Sequence, residues 1–248
     1  MAITVTIDGR KISVEKGTTI LAAAGELGIE IPTLCHNEAV EPYGACRVCI
    51  VEASDGKGWS RIVTSCNYEV WDGLQVSTQA ESVVETRREI LDLILSAHPG
   101  AQAVRELAAR YGVHEPSYPG KPGDDCILCG LCVRVCDQVV GVSALGFANR
   151  GPARRMTIPF EQTSPTCIGC GSCVYVCPTG CLHIEDRNGR RILYKQTPDA
   201  VLKEFELLPC ERCGRPFLPK EQLEYVQKKL NLPRKTAQTC FLCGGKRL

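Results

Sequence analysis

Cysteine carries the chemistry of this chain. Seventeen of its 248 residues are cysteine, against four histidines, and most of them fall into short repeated spacings. The run Cys126-Ile-Leu-Cys129-Gly-Leu-Cys132-Val-Arg-Val-Cys136 returns about forty positions later as Cys167-Ile-Gly-Cys170-Gly-Ser-Cys173-Val-Tyr-Val-Cys177, followed by Pro178. Both have the form C-x2-C-x2-C-x3-C, the ligand spacing of a chain that holds [4Fe–4S] clusters. A cubane needs four thiolates converging on one small object. A tight loop supplies three, and the start of the following helix supplies the fourth.

Where two such runs share a fold, the fourth thiolate reaches across to the other cluster. One cluster then takes Cys126, Cys129, Cys132 and Cys177; the second takes Cys136, Cys167, Cys170 and Cys173. Cys181 is left over and is expected as a small core side chain. Arg134, Arg150, Arg154 and Arg155 stand near these ligands in sequence. They are either solvated surface or a source of positive charge that tunes the clusters, because net charge sets their potential.

Two further cysteine groups have other spacings. In the N-terminal third, Cys35-x10-Cys46-x2-Cys49-x16-Cys66 offers four thiolates with one tight pair. That suits a [2Fe–2S] cluster, whose irons each need two thiolates, better than a zinc site, which usually arrives as two C-x-x-C pairs. The C-terminus does carry two such pairs, Cys210-x2-Cys213-Gly214 and Cys240-x2-Cys243-Gly244. They form the signature of a closed structural zinc site, although the same thiolates would suit another iron–sulfur cluster.

The bulk numbers bound the rest. The length allows roughly one to three domains, and 44% hydrophobic residues support buried cores although aromatics reach only 6%. A net charge of +1 leaves no polybasic footprint for nucleic acid or acidic lipid. No long apolar run or signal peptide is evident, so neither a membrane span nor secretion is expected. Thiolates that must stay reduced until metal arrives point to the cytoplasm.

The elements that position these cysteines are partly legible. Ala2 to Asp8 alternates as a half-buried strand, Asp8-Gly9 turns it, and Lys11 to Val14 returns. Thr18 or Thr19 caps a helix over Ile20 to Leu27, ended by Gly28. Apolar spacing predicts helices over Glu81 to Ala97 and Ala101 to Tyr111, parted by Pro99-Gly100. His114 to Gly123, rich in proline and glycine, is a linker, and Asp124 opens the next domain. Strand-like segments run over Gly141 to Phe147 and Met156 to Phe160, with a turn at Gly151-Pro152. An amphipathic helix over Lys220 to Lys229, with Leu223, Val226 and Leu230 on its apolar face, separates the last two cysteine pairs.

Gly44-Ala45-Cys46-Arg47-Val48-Cys49 and the long gap after Cys35 give the N-terminal third a family likeness. It resembles the N-terminal region of the large iron–sulfur subunit of respiratory NADH dehydrogenase. The small diaphorase subunit of NAD-reducing hydrogenases and the N-terminus of iron-only hydrogenases are similar too. The resemblance covers roughly residues 1–181 and implies a β-grasp fold for the first module. Those families place a cluster held by one histidine and three cysteines just after a His-Pro dipeptide. This chain keeps Ser96-Ala97-His98-Pro99 but has no cysteine between Cys66 and Cys126. That cluster is therefore expected to be missing, with His98 a helix-end residue. His36, beside Cys35, is expected to hydrogen-bond near its cluster rather than ligate it.

The expected fold is α+β. A [2Fe–2S] ferredoxin-like domain spans 1–80, a helical connector and linker 81–123, a two-[4Fe–4S] bacterial ferredoxin-like domain 124–200, and a four-cysteine knuckle domain 201–248. Redox centres of two types in one chain, with no dinucleotide or Walker motif, form a relay for single electrons rather than a catalytic site. The resemblance implies a subunit of an NAD(P)H-linked complex, such as a hydrogenase, formate dehydrogenase or electron-bifurcating oxidoreductase. Its partners would be a flavin- and NAD(P)-binding subunit, a catalytic subunit and ferredoxin. A self-standing reductase would need a flavin or substrate pocket. A redox sensor would need a nucleic-acid-binding element, and no basic patch or helix-turn-helix pattern is evident.

Overall fold

The computed structural model describes residues 2–118, 125–159, 165–196, 200–233 and 238–244. It divides into two compact units, 1–131 and 132–248. Among the described residues no helix is long and apolar enough to cross a membrane.

The first unit begins with β1 (Ala2–Ile7) and β2 (Arg10–Glu15), paired antiparallel. Asp8 and Gly9 turn the chain between them with φ 47 and 77, the left-handed backbone that a two-residue hairpin demands. Thr19 Oγ1 accepts the Ala22 N–H at 3.2 Å and so caps α1 (Ile20–Glu26); Gly28 follows with φ 69. Strands β3 (Ile50–Ser54), β4 (Ser60–Thr64) and β5 (Gln75–Ser77) complete a sheet of order β2-β1-β5-β3-β4, with β5 parallel to β1. Val5 and Ile7, which alternate with Thr4 and Thr6, pack with Ile20, Ala23, Ala24 and Val51 into its core. Each such aliphatic side chain contributes about 1.5–3 kcal/mol on full burial. A hairpin, a crossing helix and a parallel closing strand make the expected β-grasp arrangement.

Helices α2 (Glu81–Ala97) and α3 (Gln102–Arg110) follow, and His98 is the C-terminal cap of α2. Leu91, Leu95, Val104, Leu107 and Ala108 form a second core, and they share it with Leu34 and Val48 from the cysteine-bearing loops. The two helices therefore brace the metal-binding loops as well as connecting modules. The linker residues Pro119 to Gly123, and Asp124, lie outside the described residues.

In the second unit α4 (Leu131–Arg134) runs into a π-helical turn, Val135–Val140, which Gly141 ends at φ 81. Short strands β6 (Gly146–Ala148) and β7 (Arg155–Thr157) pair antiparallel around a turn at Gly151–Ala153. The first is shorter than expected because Val142 and Ser143 still donate to the Cys136 carbonyl, Ser143 is left-handed at φ 47, and Ala144 donates to Cys136 Sγ; Phe160 lies outside the described residues. Helix α5 (Ser172–Tyr175) comes next. Strands β8 (Leu182–Arg187), β9 (Arg190–Lys195), β10 (Val201–Pro209) and β11 (Pro216–Pro219) then form an antiparallel sheet of order β11-β10-β9-β8. Helix α6 (Lys220–Lys229) and the short α7 (Phe241–Gly244) close the chain. Leu223 is buried on α6 as expected, but Leu230 is its C-terminal cap and 62% exposed. The helix stops one residue before the apolar stripe would use it.

The hairpin is tied to the end of β5 through Asp8, whose carboxylate accepts the Thr78 N–H at 2.8 Å and its hydroxyl at 2.6 Å. Asp8→Ala removes both bonds and leaves alanine in a left-handed conformation. It is expected to destabilise the metal-loaded chain by about 1–3 kcal/mol, read as a lower denaturation midpoint at unchanged m. Asp8→Gly, which relieves only the backbone, should recover part of the loss.

Candidate metal centres

Pro32 ends regular structure after α1, and the loop up to β3 carries Cys35, Cys46 and Cys49. Cys66 follows β4. Cys35 and Cys49 are 1% exposed and Cys66 is 2% exposed. The Cys46 N–H donates to Cys35 Sγ at 3.5 Å. A thiol bond to Cys35, reinforced by burial, holds the Cys46 thiol above its ordinary range. Cys49 does the same to Cys66, and is itself pulled down to about 6 by the Cys66 thiol. The thiols therefore meet as two pairs, Cys35 with Cys46 and Cys49 with Cys66, close enough that Cys35 and Cys46 also act on Cys66. One polar atom beside them, His36 Nδ1, is buried without a protein hydrogen-bond partner. A group bearing inorganic sulfide fits that setting, because it supplies what the neighbouring side chains do not.

The duplicated runs adopt one backbone twice. The third residue of each first C-x-x-C is left-handed, Leu128 at φ 53 and Gly169 at φ 68. So is the glycine after it, Gly130 at φ 74 and Gly171 at φ 80. Such turns gather successive N–H groups on one concave side, where an anion is held. Cys126, Cys129 and Cys132 are each 8% exposed.

Cys136, Cys167, Cys170 and Cys173 line one cavity, with Val140 and Leu145 among its apolar walls. The Ala144 N–H donates to Cys136 Sγ at 3.2 Å. Burial, then the facing Cys170, Cys167 and Cys136 thiols, push Cys173 up to about 12. The fourth cysteine of each run sits later than expected. Helices α4 and α5 begin one residue before the third, at Leu131 and Ser172. Cys136 falls in the π-helical turn and Cys177 lies just past the end of α5. Widening or ending the helix there turns the last thiol off the helical path.

Strands β9 and β10 grip the second loop from outside. Lys203 Nζ donates to the Cys167 carbonyl at 2.8 Å, and Arg191 Nη1 to the Gly169 carbonyl at 3.1 Å. The Phe205 ring lies where a Gly169 side chain would begin, 3.0 Å from the position of a Cβ. From the other direction, the Tyr225 hydroxyl and Lys229 Nζ of α6 both donate to the Val140 carbonyl at the end of the π-helical turn. Cys181 is buried, with Sγ 3.6 Å from Cys177 Sγ, and this contact draws the Cys177 thiol down to about 5. Arg154 lies over the Phe147 ring at 4.2 Å.

At the C-terminus the sulfurs of Cys210, Cys213, Cys240 and Cys243 all lie within 4.8 Å of one another, and among the described residues no other set of three or more potential ligands is so tight. Cys213 Sγ and Cys240 Sγ are 3.8 Å apart, and the Cys240 N–H donates to Cys210 Sγ at 3.3 Å. Gly214, at φ 70, makes the turn after the first pair. Backbone N–H donors led by that of Cys240 hold the Cys210 thiol at about 6. This donor set can hold a metal.

Sequence reasoning missed Arg87 and Lys203, which reach these loops from neighbouring elements. A signal for Arg87 was present, since it occupies the apolar stripe Val83, Arg87, Leu91, Leu95 at every fourth residue. Lys203 stands at an inward position of β10, between half-buried Leu202 and exposed Glu204.

A β-grasp domain with paired thiols, followed by duplicated cysteine loops, defines a multi-cluster iron–sulfur protein. Residues 1–81 match the 2Fe-2S iron-sulfur cluster binding domain and residues 125–181 the 4Fe-4S dicluster domain. The chain is 35% identical over 206 residues to an NADH-quinone oxidoreductase subunit of Rhizobium meliloti, covering 73% of this chain and 24% of that one. It is 38% identical to the NADPH-Fe(3+) oxidoreductase subunit alpha of Geobacter sulfurreducens, again covering 73% and 24%. It is 36% identical to the NADP-reducing hydrogenase subunit HndD of Solidesulfovibrio fructosivorans, covering 73% and 36%. A solved NAD+-reducing [NiFe]-hydrogenase chain superposes with TM-score 0.53 at 33% identity, covering 63% of this chain and 75% of that one. The chain thus carries a 2Fe-2S cluster-binding domain followed by a 4Fe-4S dicluster domain. It spans about a quarter to a third of the length of these curated relatives.

Gly169→Ala places a methyl against Phe205 in a left-handed backbone. If the loop holds one cluster, iron should fall by about four atoms per chain, while the [2Fe–2S] signal in electron paramagnetic resonance stays. Phe205→Leu in the same background should restore part of the iron.

Proposed function

We propose that this chain is an electron-conducting subunit of an NAD(P)H-linked oxidoreductase. It would pass single electrons between a flavin- and NAD(P)-binding subunit and a catalytic subunit, such as a hydrogenase or dehydrogenase, or a ferredoxin. The observation that carries the reading is the occurrence of three four-cysteine sets at iron–sulfur spacing in one short chain, with three cysteines of each set buried. When bound, such clusters supply one-electron exchange. The chain's own residues hold them, exclude water from them and set their surroundings.

In the first domain Cys35 and Cys46 face one iron of a [2Fe–2S] cluster, and Cys49 and Cys66 the other, as their pairing supports. Cys136, Cys167, Cys170 and Cys173, which share a cavity, hold one [4Fe–4S] cluster. By the ligand order of the sequence, Cys126, Cys129, Cys132 and Cys177 hold the other. The C-terminal set takes Zn2+. A tetrahedral ion with Zn–S bonds near 2.3 Å sets its sulfurs about 3.8 Å apart, and the Cys213–Cys240 separation is 3.8 Å. A cluster would need a wider cage than this one.

Two experiments test these assignments. Native protein isolated anaerobically should bring with it a flavin- and nicotinamide-binding subunit, and NADH or NADPH should bleach the clusters only while that subunit is present. Reduction of the isolated chain by the nicotinamide alone would defeat the conducting role. Separately, Cys213→Ser with Cys240→Ser should remove about one zinc per chain and leave the iron content unchanged. Loss of iron with no zinc in the native chain would reverse the assignment of that site.

A further inference from the structure

Arg87 is 0% exposed. It stands on the inner stripe of α2, between Val83 and Leu91, where an aliphatic residue is expected. All three of its guanidinium nitrogens donate: Nε to the Val48 carbonyl at 3.0 Å, and Nη2 to the Ile50 carbonyl at 2.5 Å. Nη1 reaches the Thr78 carbonyl at 3.5 Å and the Tyr111 hydroxyl at 3.4 Å, and the Tyr111 ring lies 5.3 Å from the guanidinium carbon. Every one of these partners is neutral. Among the described residues no carboxylate pairs with it.

A cation removed from water without an anion nearby is strongly unfavourable, and carbonyl dipoles offset that only in part. The position of the carbonyls indicates where the missing negative charge lies. Val48 and Ile50 flank Cys49 in the chain, and Val48 with Arg47 separates Cys46 from Cys49. The guanidinium thus clasps the backbone on both sides of one of the four thiolates of the first site. Those thiolates, carrying iron and sulfide, form an anionic centre.

We propose that Arg87 is the positioning residue and standing countercharge of the [2Fe–2S] centre. It fixes the Cys46–Cys49 loop through two carbonyls and raises the reduction potential of the centre it faces. This rests on reading Cys35, Cys46, Cys49 and Cys66 as the ligands. Reduction adds one negative charge to the centre, and a nearby fixed positive charge stabilises that state more than the oxidised one. A purely structural arginine would satisfy the same carbonyls and leave the potential where it is.

The test is a redox titration of the intact chain, following the [2Fe–2S] signal by electron paramagnetic resonance. Arg87→Gln, which removes the charge but keeps hydrogen-bonding capacity, should shift the reduction equilibrium about tenfold, a potential lower by about 59 mV. Arg87→Lys keeps the charge but cannot span both carbonyls. Its potential should shift by less than half as much, while the cluster is lost faster in air. Tyr111→Glu, at a half-buried position, sets a carboxylate beside the intact guanidinium and should lower the potential in the same direction. Arg87→Gln that retains the cluster at the native potential, or equal shifts in the glutamine and lysine variants, would overturn the proposal. Should Arg87→Gln fail to fold, Tyr111→Glu decides: a lowered potential supports the countercharge and an unmoved one overturns it. A native chain with no [2Fe–2S] signal would overturn the ligand reading itself, whereas an unmoved potential with the signal intact defeats only the role given to Arg87.

Discussion

Thiolates held a few ångströms apart in a poorly solvated space repel one another, and the rest of this structure is built around that fact. Burial and the three facing sulfurs push the Cys173 thiol up to about 12, and Cys46 and Cys66 are held above their ordinary range by the thiol bond within each pair, then by burial and neighbouring thiolates. A bound metal centre turns the repulsion into attraction, because its positive charge sits where the sulfurs point. Metal binding in such sites is therefore folding free energy. The hydrophobic core beneath the sheet of the first unit and the second core around α2 and α3 bring the sulfurs together. They cannot by themselves keep them ionised there.

The fold answers the repulsion in two ways. Left-handed residues inside the loops, Leu128 and Gly169, tighten the turns, and the Gly169 N–H bonds the Cys167 thiol. Outside the loops, cations on regular elements hold the carbonyls that these turns direct away from the site. Arg87 from α2 holds Val48 and Ile50, while Lys203 and Arg191 hold Cys167 and Gly169. Each cation thus bonds to a neutral dipole in a segment that carries the sulfurs, and Lys203 also acts on the Cys167 thiol through its charge. Rigid elements do this better than loops, because a strand or helix fixes where the long side chain starts. Helix α6 extends the pattern, since Tyr225 and Lys229 bond the Val140 carbonyl on the frame around Cys136.

Much of this is legible from residue types. Alternation in Ala2 to Ile7, Asp8-Gly9, the Thr19 cap and the stripe of α2 each rest on local rules, and each element forms as those rules require. Cysteine spacing is legible because metal coordination restricts geometry more tightly than packing does. The four strands from Leu182 to Pro219 are not. Their alternation is interrupted by charged residues that pair across strands, as Arg190 does with Glu204, so hydrophobic period alone is weak there. The position of Cys136 in a π-helical turn is hidden too, since the wider helix is dictated by where its thiol must point. Arg87 and Lys203 escape for a related reason: a charge at a core position is explained only by the carbonyl it meets, and that carbonyl comes from a segment distant in sequence.

The spacing of sulfurs also separates the proposed roles of the metal sites. Among the described residues, the C-terminal set alone has all its ligand atoms within 4.8 Å, the size of a hole for one ion. Cys136, Cys167, Cys170 and Cys173 instead line a common cavity without meeting that limit, as the wider cage of a cluster requires. A single redox-inert ion conducts nothing, so on this assignment the electron path does not pass through the last four cysteines. On the same assignment the ion's part is closer to that of a core. It would anchor the turn from Cys210 to Gly214 and the segment from Cys240 to Cys243, on either side of β11 and α6. Helix α6 would then be held where Tyr225 and Lys229 reach Val140. On the proposed function the tail would act on electron flow indirectly, by keeping the frame around Cys136 in place.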